Sequence, residues 1–136
     1  MNHINDHFTN IYYYLHPEQQ ASISHQSVRI LQFIQKEQDV TVRKVADALQ
    51  ISHNTASEHI KKLELQGLVS KERSSVDQRI VNILLTDKGL KMVKENTELD
   101  NEKLKAVFST LSTEQQKQIV EAFALLSEAA QNVYRH

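Results

Sequence analysis

The stretch from Lys71 to Thr86, KERSSVDQRIVNILLT, has the period of a β-strand within a sequence otherwise patterned as helices. Val81, Ile83 and Leu85 fall on one face of an extended segment. The polar residues RSSVDQR before them predict a turn between two strands. The whole chain contains only two glycines and one proline, too little turn chemistry for a fold of many hairpins. We therefore predict a mostly α-helical protein with one small β-hairpin.

Helical periodicity accounts for most of the remaining sequence. Apolar residues three and four positions apart predict a first helix from Asn2 to about Leu15. A serine or threonine stands ahead of four later apolar stripes and predicts where those helices begin. These candidate N-caps are Ser24, Thr41, Ser52 and Ser112. After the hairpin, one helix is predicted from Thr86 or Asp87 to about Phe108, although its middle, ENTELDNEK, is polar.

The composition excludes several classes of protein. The absence of cysteine rules out disulfides, thiolate metal sites and cysteine nucleophiles. No apolar run approaches the ~18 residues of a membrane span, and the first residues do not resemble a signal peptide, so we expect a cytoplasmic protein. Catalytic clusters and phosphate-binding glycine loops are missing, so neither an enzyme nor a cofactor is predicted. His3 and His7 have a spacing that could share an ion, but two ligands are too few to predict a metal site.

The segment from Val42 to Ile80 has its own charge balance and pattern. It holds seven basic and five acidic residues, whereas the whole chain has a formal net charge of -1. Two short helices joined by a tight turn and followed by a hairpin have the order of a winged helix-turn-helix. With Ala56, Ile60 and Leu63 facing inward, the other sides of the second helix suit base edges and phosphates. Those sides carry Asn54, Thr55, Ser57, Glu58, Lys61 and Lys62.

The stretch TVRKVADALQISHNTASEHIKKLELQGLVSKERSSVDQRIVNILLTDKG resembles the DNA-binding core of MarR-type transcriptional regulators. The similarity includes LELQGLV at the start of the wing, DQR in the hairpin and LLTDKG leading into the next helix. The surrounding helices agree in number and order, so the resemblance spans nearly the whole chain. It implies an obligate homodimer whose terminal helices interlock, with two winged lobes that bind a pseudo-palindromic DNA operator.

The resemblance also implies roles for individual residues. Arg79 is expected to enter the DNA minor groove, and Asp77 is expected to support the wing by a salt bridge to it. The alternative for this pair is an ordinary surface ion pair. The predicted DNA contacts are Thr41, His53, Asn54, Thr55, Ser57, Lys61, Lys62, Arg73, Ser74, Ser75 and Arg79.

Related proteins often bind a small aromatic or anionic effector between the helical interface and the winged lobe. The candidate residues here are Tyr13, His16 and Arg29, which offer stacking, a titratable ring and an anion partner. A packing role for the segment YYYLH is the alternative. The zinc-sensing branch of the family does not fit, because no histidine lies between His59 and His136, and the thiol-oxidising branch requires a cysteine.

The terminal helices carry narrow apolar stripes that little else in the chain can cover. In the last helix the stripe has coiled-coil spacing and comprises Ile119, Phe123, Leu126, Ala130 and Val133. Packing against a second copy is the favoured interpretation, and packing within one chain is the alternative. We therefore predict dimerisation and support helices at 1–36, a winged helix-turn-helix lobe at 37–87 and dimerisation helices at 88–136.

The leading hypothesis is a homodimeric, sequence-specific DNA-binding regulator, most simply a repressor released by a small ligand. The second hypothesis is a winged-helix protein-interaction module without sequence-specific DNA binding. It is motivated by the negative net charge and by Glu58 on the second helix, where a carboxylate repels phosphate. Tight, steeply salt-dependent binding to one promoter distinguishes the first hypothesis from the second.

Overall fold

Helices dominate this computed structural model, which describes residues 2–18 and 22–135 of the chain. The elements in chain order are α1 (Asn2–Leu15), α2 (His25–Lys36), α3 (Val42–Leu49), α4 (His53–Leu65), β1 (Val69–Arg73), β2 (Val81–Leu85), α5 (Asp87–Thr97), α6 (Asn101–Phe108) and α7 (Thr113–Tyr134). The two strands form one antiparallel sheet. The predicted fold class, mostly helical with a small hairpin, is confirmed.

Hydroxyl side chains begin four helices at the predicted places. Ser24, Thr41 and Ser52 each accept a hydrogen bond from the backbone N–H three residues later, at 3.1 to 3.2 Å. Ser112 accepts in the same way from Gln115, whose side-chain Oε1 accepts from the Ser112 N–H at 3.0 Å. Caps of this kind stabilise a helix by about 1 kcal/mol each. These helix starts are therefore encoded locally in the sequence.

The single long helix predicted after the hairpin is wrong, because the chain breaks between α5 and α6. Glu98 has extended backbone angles, with φ -100° and ψ 161°. Asp100 then acts as a new N-cap and accepts from the Lys103 N–H at 3.0 Å. The Asp100 N–H donates to the carbonyl of Leu15, the last residue of α1, at 2.8 Å, and therefore not to a carbonyl of α5. The short side chain of an aspartate can accept hydrogen bonds from nearby backbone N–H groups. Aspartate therefore favours the N-cap position over the interior of a helix.

The hairpin is anchored at its base by the core. Val69 lies opposite Leu85 in the register of the two strands. Ile83 is buried and Val81 and Leu85 are half-buried, so the inward face predicted from the alternating pattern is confirmed. The Ile83 N–H donates to the Val40 carbonyl at 2.8 Å, which ties β2 to the segment before α3.

One hydrophobic core holds α2, α3, α4, the hairpin and α5 together. Each of these elements contributes at least one buried apolar side chain. The largest fully buried side chains are Ile30, Leu31, Ile60, Leu63, Leu68, Ile83, Val45 and Val93. Burial of a side chain of this size contributes about 1.5–3 kcal/mol before opposing terms are counted. The helix-turn-helix and the hairpin are thus fixed to each other by shared packing.

The described residues divide into two compact units. Residues 17–98 form one, called the winged unit below, with α2 to α5 and the hairpin. Residues 1–16 and 99–136 form the other, called the terminal-helix unit, with α1, α6 and α7. This division differs from the sequence-based boundaries, which placed α2 and α5 with the terminal helices. The reason is packing, because α2 supplies Ile30 and Leu31, and α5 supplies Val93, to the core of the winged unit.

The terminal-helix unit exposes large apolar side chains. Neither α6 nor α7 has a buried residue. Phe8 in α1 and Phe123 in α7 are 59% and 53% exposed, and Leu126 and Val133 on the predicted α7 stripe are exposed as well. Within the described ranges, no helix is long and apolar enough to cross a membrane.

Candidate nucleic-acid interface

Helix α4 turns an apolar face inward and a polar face to solvent. Ala56, Ile60 and Leu63 are at most 1% exposed, as the sequence pattern predicts. The predicted DNA contacts on this helix lie on its remaining sides. Ser57 is half-buried, and the exposed ones are His53, Asn54, Thr55, Lys61 and Lys62. Their side chains can donate to phosphates and to base edges. Glu58 is exposed on the same helix, so one negative charge lies among them.

Hydroxyl groups predicted to contact DNA also take part in the helix-turn-helix itself. Thr41 Oγ1 accepts from the Lys44 N–H at 3.2 Å and begins α3. Ser52 Oγ donates to Thr55 Oγ1 at 2.8 Å, which leaves the Thr55 hydroxyl proton free to reach an outside acceptor. Gln50 adopts the left-handed conformation, with φ 55°, at the turn between α3 and α4. Thr55 is therefore oriented by the turn, whereas Thr41 has a structural role of its own.

The tip of the wing, residues 74–79, is closed by hydrogen bonds. Ser74 Oγ accepts from the N–H groups of Val76 and Asp77, both at 3.2 Å. The Ser74 N–H donates to the Ile80 carbonyl at 2.9 Å, and the Ile80 N–H donates to the Asp77 carbonyl at 3.0 Å. The backbone of the tip is thus organised before any partner binds.

Two residues predicted as DNA contacts brace this turn. Arg73 Nη1 donates to the Gln78 carbonyl at 2.5 Å. Ser74 is the hydroxyl that holds the tip, as described above. Ser75 is exposed. Arg73 and Ser74 therefore hold the backbone of the tip in place. Strand periodicity could not predict these roles, because the hydrogen bonds form only when the tip folds back on itself.

Asp77 and Arg79 form a two-point ion pair at the tip. Arg79 Nε donates to Asp77 Oδ1 at 3.1 Å, and Nη2 donates to Oδ2 at 3.0 Å. The Arg79 backbone N–H donates to Oδ1 at 3.0 Å. A guanidinium has five N–H donors, so most of them remain available. Because the Arg79 side chain is 90% exposed, the pair orients a cation that can still bind another group.

The ion pair changes the titration of both partners. The side-chain hydrogen bond from Arg79, followed by its backbone N–H, lowers the pKa of Asp77. The same side-chain contact raises the pKa of Arg79. A carboxyl whose pKa falls on folding contributes stability above its unfolded-state pKa of about 3.9, and that contribution is lost as the pH falls through the folded-state value. The pair should thus persist at neutral and mildly acidic pH.

We expect the Asp77 carboxyl to titrate at a lower pH in the wild-type protein than in an Arg79→Ala variant. The variant loses the side-chain donors but keeps the backbone N–H of residue 79, so the pKa of Asp77 moves part of the way back to its ordinary value. Carboxyl-carbon chemical shifts followed by NMR during acid titration measure this change. Equal midpoints in the two proteins would show that the ion pair does not form in solution.

The wing and helix α4 are placed by the same core. Leu68, just before β1, and Val69, the first residue of β1, are buried together with Ile60 of α4. Lys71 of β1 and Glu64 of α4 also form an ion pair, with 3.6 Å between Nζ and Oε1. A helix and a thin hairpin held at a fixed separation are the shapes that fit neighbouring major and minor grooves.

The three candidate effector residues are divided between the two units. In the terminal-helix unit, Tyr13 is exposed and His16 is engaged at the end of α1. His16 Nδ1 lies 2.9 Å from the carbonyl oxygens of both Tyr12 and Tyr13, and its ring stacks on Tyr12 with 5.5 Å between centroids. Arg29 is exposed on α2 in the winged unit. The imidazole of His16 therefore has a structural role.

The winged unit contains a cleft of 440 Å³ that none of the candidate effector residues lines. Its walls come from the end of α2, the loop before α3, β2 and α5, and include Leu84 and Leu90 beside Glu37 and Asp39. Gln35, in the same wall, has a buried Oε1 without a hydrogen-bond partner. Sequence analysis missed this cleft, because its residues come from three separate stretches of the chain. Across residues 2–18 and 22–135, no three potential metal ligands come together.

The fold and the arrangement of helix and wing define a winged helix-turn-helix protein. Residues 21–80, which span most of the winged unit, match the model of the MarR family. The HTH-type transcriptional regulator MgrA of Staphylococcus aureus is 35% identical over 80 residues, covering 59% of this chain. The match covers 54% of MgrA, so the chain aligns with about half the length of that relative.

Two solved structures of MepR from S. aureus are similar over most of the chain. A MepR variant from a multidrug-resistant clinical isolate is 25% identical, with 93% of this chain and 96% of that chain covered and a TM-score of 0.61. A MepR variant bound to an oligodeoxyribonucleotide is 26% identical, with 80% of each chain covered and a TM-score of 0.54. Over residues 21–80, which make up less than half of the chain, the protein is therefore similar to the MarR family. This family consists of DNA-binding regulators rather than enzymes.

Proposed function

We propose that the protein is a sequence-specific double-stranded DNA-binding transcriptional regulator, acting in the cytoplasm as a homodimeric repressor. The observation that carries the proposal is the Arg79 guanidinium, 90% exposed and oriented by Asp77 at the hydrogen-bonded tip of the wing. A cation on a thin hairpin suits the minor groove, which is about 6 Å wide and has a negative potential.

In this proposal α4 enters the major groove next to the wing. Asn54 pairs with adenine, and Thr55 donates its hydroxyl to a base or a phosphate. Lys61 and Lys62 contact the phosphate backbone, which contributes affinity without sequence information. The MepR variant bound to an oligodeoxyribonucleotide supports DNA as the partner, because it shares this fold over most of both chains.

A second copy of the chain is the partner we propose for the terminal-helix unit. The exposed apolar side chains of α1 and α7, including Phe8 and Phe123, support this proposal, because transferring apolar surface out of water favours association. A two-fold dimer places two recognition helices about 34 Å apart on one side of the DNA. The operator must then be pseudo-palindromic, because its symmetry mirrors that of the protein.

Replacing Phe123 with aspartate is expected to convert the dimer to a monomer and to weaken operator binding. The new carboxylate would have to be buried without a partner, which opposes association. Sedimentation velocity measures the mass and a gel-shift titration the affinity. Gln118→Asp adds the same charge to the same helix outside the apolar stripe and should leave the dimer intact. A Phe123→Asp protein with the mass of a dimer would contradict this interface.

Release from DNA by a small aromatic or anionic ligand is the regulatory part of the proposal. Tyr13 in the terminal-helix unit offers an exposed ring to such a ligand, and Arg29 in the winged unit separately offers an exposed cation. The His16 ring is less suited to it, since its Nδ1 is used at the end of α1. Such a ligand would bind the DNA-free dimer more tightly than the DNA-bound dimer. At saturation it would lower the affinity for the operator by the ratio of those two ligand affinities.

The alternative function is a winged-helix protein-interaction module, favoured by the exposed Glu58 on α4. Footprinting on the DNA beside the protein's own coding region, at several salt concentrations and with and without phenolic ligands, separates the two. A protected palindrome whose occupancy falls steeply with salt supports the regulator. No protected site at low salt would contradict the regulator and favour the interaction module.

A further inference from the structure

We infer that Val76, at the apex of the wing, packs against the walls and floor of the minor groove and makes the protein prefer A·T pairs there. The inference rests on the proposed function, because the wing must enter DNA for the contact to form. Val76 is 95% exposed, more than any other large hydrophobic residue in the described ranges.

The fold of the wing does not account for a valine at this position. The turn is held by Ser74 Oγ, which accepts from the Val76 N–H, and by Arg73, which donates to the Gln78 carbonyl. Residue 76 contributes its backbone N–H to this network, and any residue except proline has one. Turns favour glycine, asparagine, aspartate and serine, whereas β-branched residues favour strands. The isopropyl group of Val76 therefore does not stabilise the turn.

The surroundings of Val76 match the chemistry of minor-groove binding. Arg79, also at the tip, is 90% exposed and oriented by Asp77. Proteins that enter the minor groove combine cations, drawn by its negative potential, with apolar side chains that contact the sugars or the base steps. Valine is short, so we expect it to lie along the groove rather than to unstack base pairs. The preorganised tip lets both side chains enter together.

The floor of the groove makes such an apolar contact selective. A·T pairs present only the acceptors adenine N3 and thymine O2, which the free donors of Arg79 can reach. G·C pairs add the amino group of guanine, which projects into the space that an isopropyl group would occupy. Against Val76, that amino group would be a donor buried without an acceptor, which is unfavourable.

The test uses operator duplexes that differ only at the base pairs whose protection is lost in the Arg79→Ala variant. These pairs are A·T, G·C or inosine·C, and inosine lacks the guanine amino group. Wild-type protein is expected to bind the A·T and inosine·C duplexes equally and the G·C duplex roughly tenfold more weakly.

Val76→Thr keeps the β-branched shape and replaces one methyl group with a hydroxyl. This variant is expected to bind the A·T duplex about fourfold more weakly, the factor for losing one buried apolar group. Its preference for A·T over G·C should also shrink, because the hydroxyl can accept from the amino group. The salt dependence should be unchanged, since no charge is altered. Val107→Thr makes the same chemical change on α6 and should leave the ratio between duplexes as in wild type.

Two results would overturn the inference while leaving the proposed function intact. One is an inosine·C duplex that binds as weakly as the G·C duplex, which would mean that the amino group is not what the wing detects. The other is a Val76→Thr variant with the wild-type ratio between duplexes. If instead no duplex binds above the nonspecific level, the proposed function fails and the inference fails with it.

Discussion

A Gly89→Ala variant is expected to lose a large part of the stability of the winged unit. A Cβ atom built on Gly89 would lie 1.9 Å from the carbonyl oxygen of Leu68 and 2.9 Å from its carbonyl carbon. Both are backbone atoms, so no side-chain rotation can relieve the clash. Either α5 or the start of β1 must move, and both are packed in the core through Val93 and Leu68. Overpacking of this severity costs about 3 kcal/mol or more.

The backbone near Leu68 has little freedom to adjust. The Thr86 N–H donates to the Leu68 carbonyl at 3.1 Å, and Thr86 Oγ1 donates to the Gly67 carbonyl at 2.6 Å. Lys88 Nζ donates to the Gln66 carbonyl at 2.9 Å. These bonds hold the start of α5 against the end of α4, so moving the strand away breaks them as well. A domain with a total stability of about 5–15 kcal/mol tolerates such a loss poorly.

Gly67→Ala is the matched control for this prediction. Gly67 has a φ of +75°, but nothing within 4 Å of an added Cβ. Alanine there is expected to cost only about 1 kcal/mol, the penalty for a left-handed conformation in a residue with a Cβ. Urea unfolding followed by circular dichroism measures both variants. A Gly89→Ala protein as stable as Gly67→Ala would contradict the close approach between α5 and β1.

Local chemistry in the sequence predicts much of the fold. Ser24, Thr41, Ser52 and Ser112 form the caps that their positions predict, because a capping bond joins residues only three apart. The alternation around Ile83 predicts the inward face of β2, because a strand has a side-chain period of two. The break before Asp100 could not be predicted from apolar spacing, because the segment around it, ENTELDNEK, is polar and carries no periodic signal. Helical periodicity cannot show where a carboxylate captures a backbone N–H.

The candidate site was predictable in outline and not in detail. The outward face of α4 follows from its buried residues, since both lie on one helix of known period. The bracing roles of Arg73 and Ser74 depend on the folded tip, where side chains meet backbone groups with no periodic relation to them. The close approach at Gly89 likewise involves a residue 21 positions away, and a lone glycine in the sequence does not reveal its neighbour.

Arg79→Ala is expected to weaken operator binding by roughly 10- to 100-fold, the usual effect of removing an arginine that contacts DNA. Its guanidinium is the exposed partner of the ion pair and keeps donors for a DNA acceptor. Removing it also leaves the Asp77 carboxylate unpaired near the phosphates, which adds repulsion. An Asp77→Ala, Arg79→Ala double variant separates the two effects, because it lacks both charges. It should bind more tightly than Arg79→Ala and less tightly than wild type.

Arg79→Lys tests whether geometry matters as well as charge. A lysine keeps the positive charge but cannot form the two-point contact with Asp77, so its ammonium is not oriented by the wing. We expect an affinity between those of wild type and Arg79→Ala, with nearly the wild-type salt dependence. Operator affinity of Arg79→Lys no better than that of Arg79→Ala would show that orientation, rather than charge, dominates the contact.

We expect the wing of this protein to contact DNA through Arg79. The most direct measurement is operator affinity as a function of salt concentration for wild type, Arg79→Ala and Arg135→Ala, with urea unfolding as a check that all three are folded. Arg135 is an exposed arginine just after α7, so its replacement makes the same charge change outside the winged unit. We expect weaker binding and a shallower salt dependence for Arg79→Ala alone, because each wing then carries one cation fewer to displace counterions from the DNA. Superimposable salt curves for wild type and Arg79→Ala would contradict it.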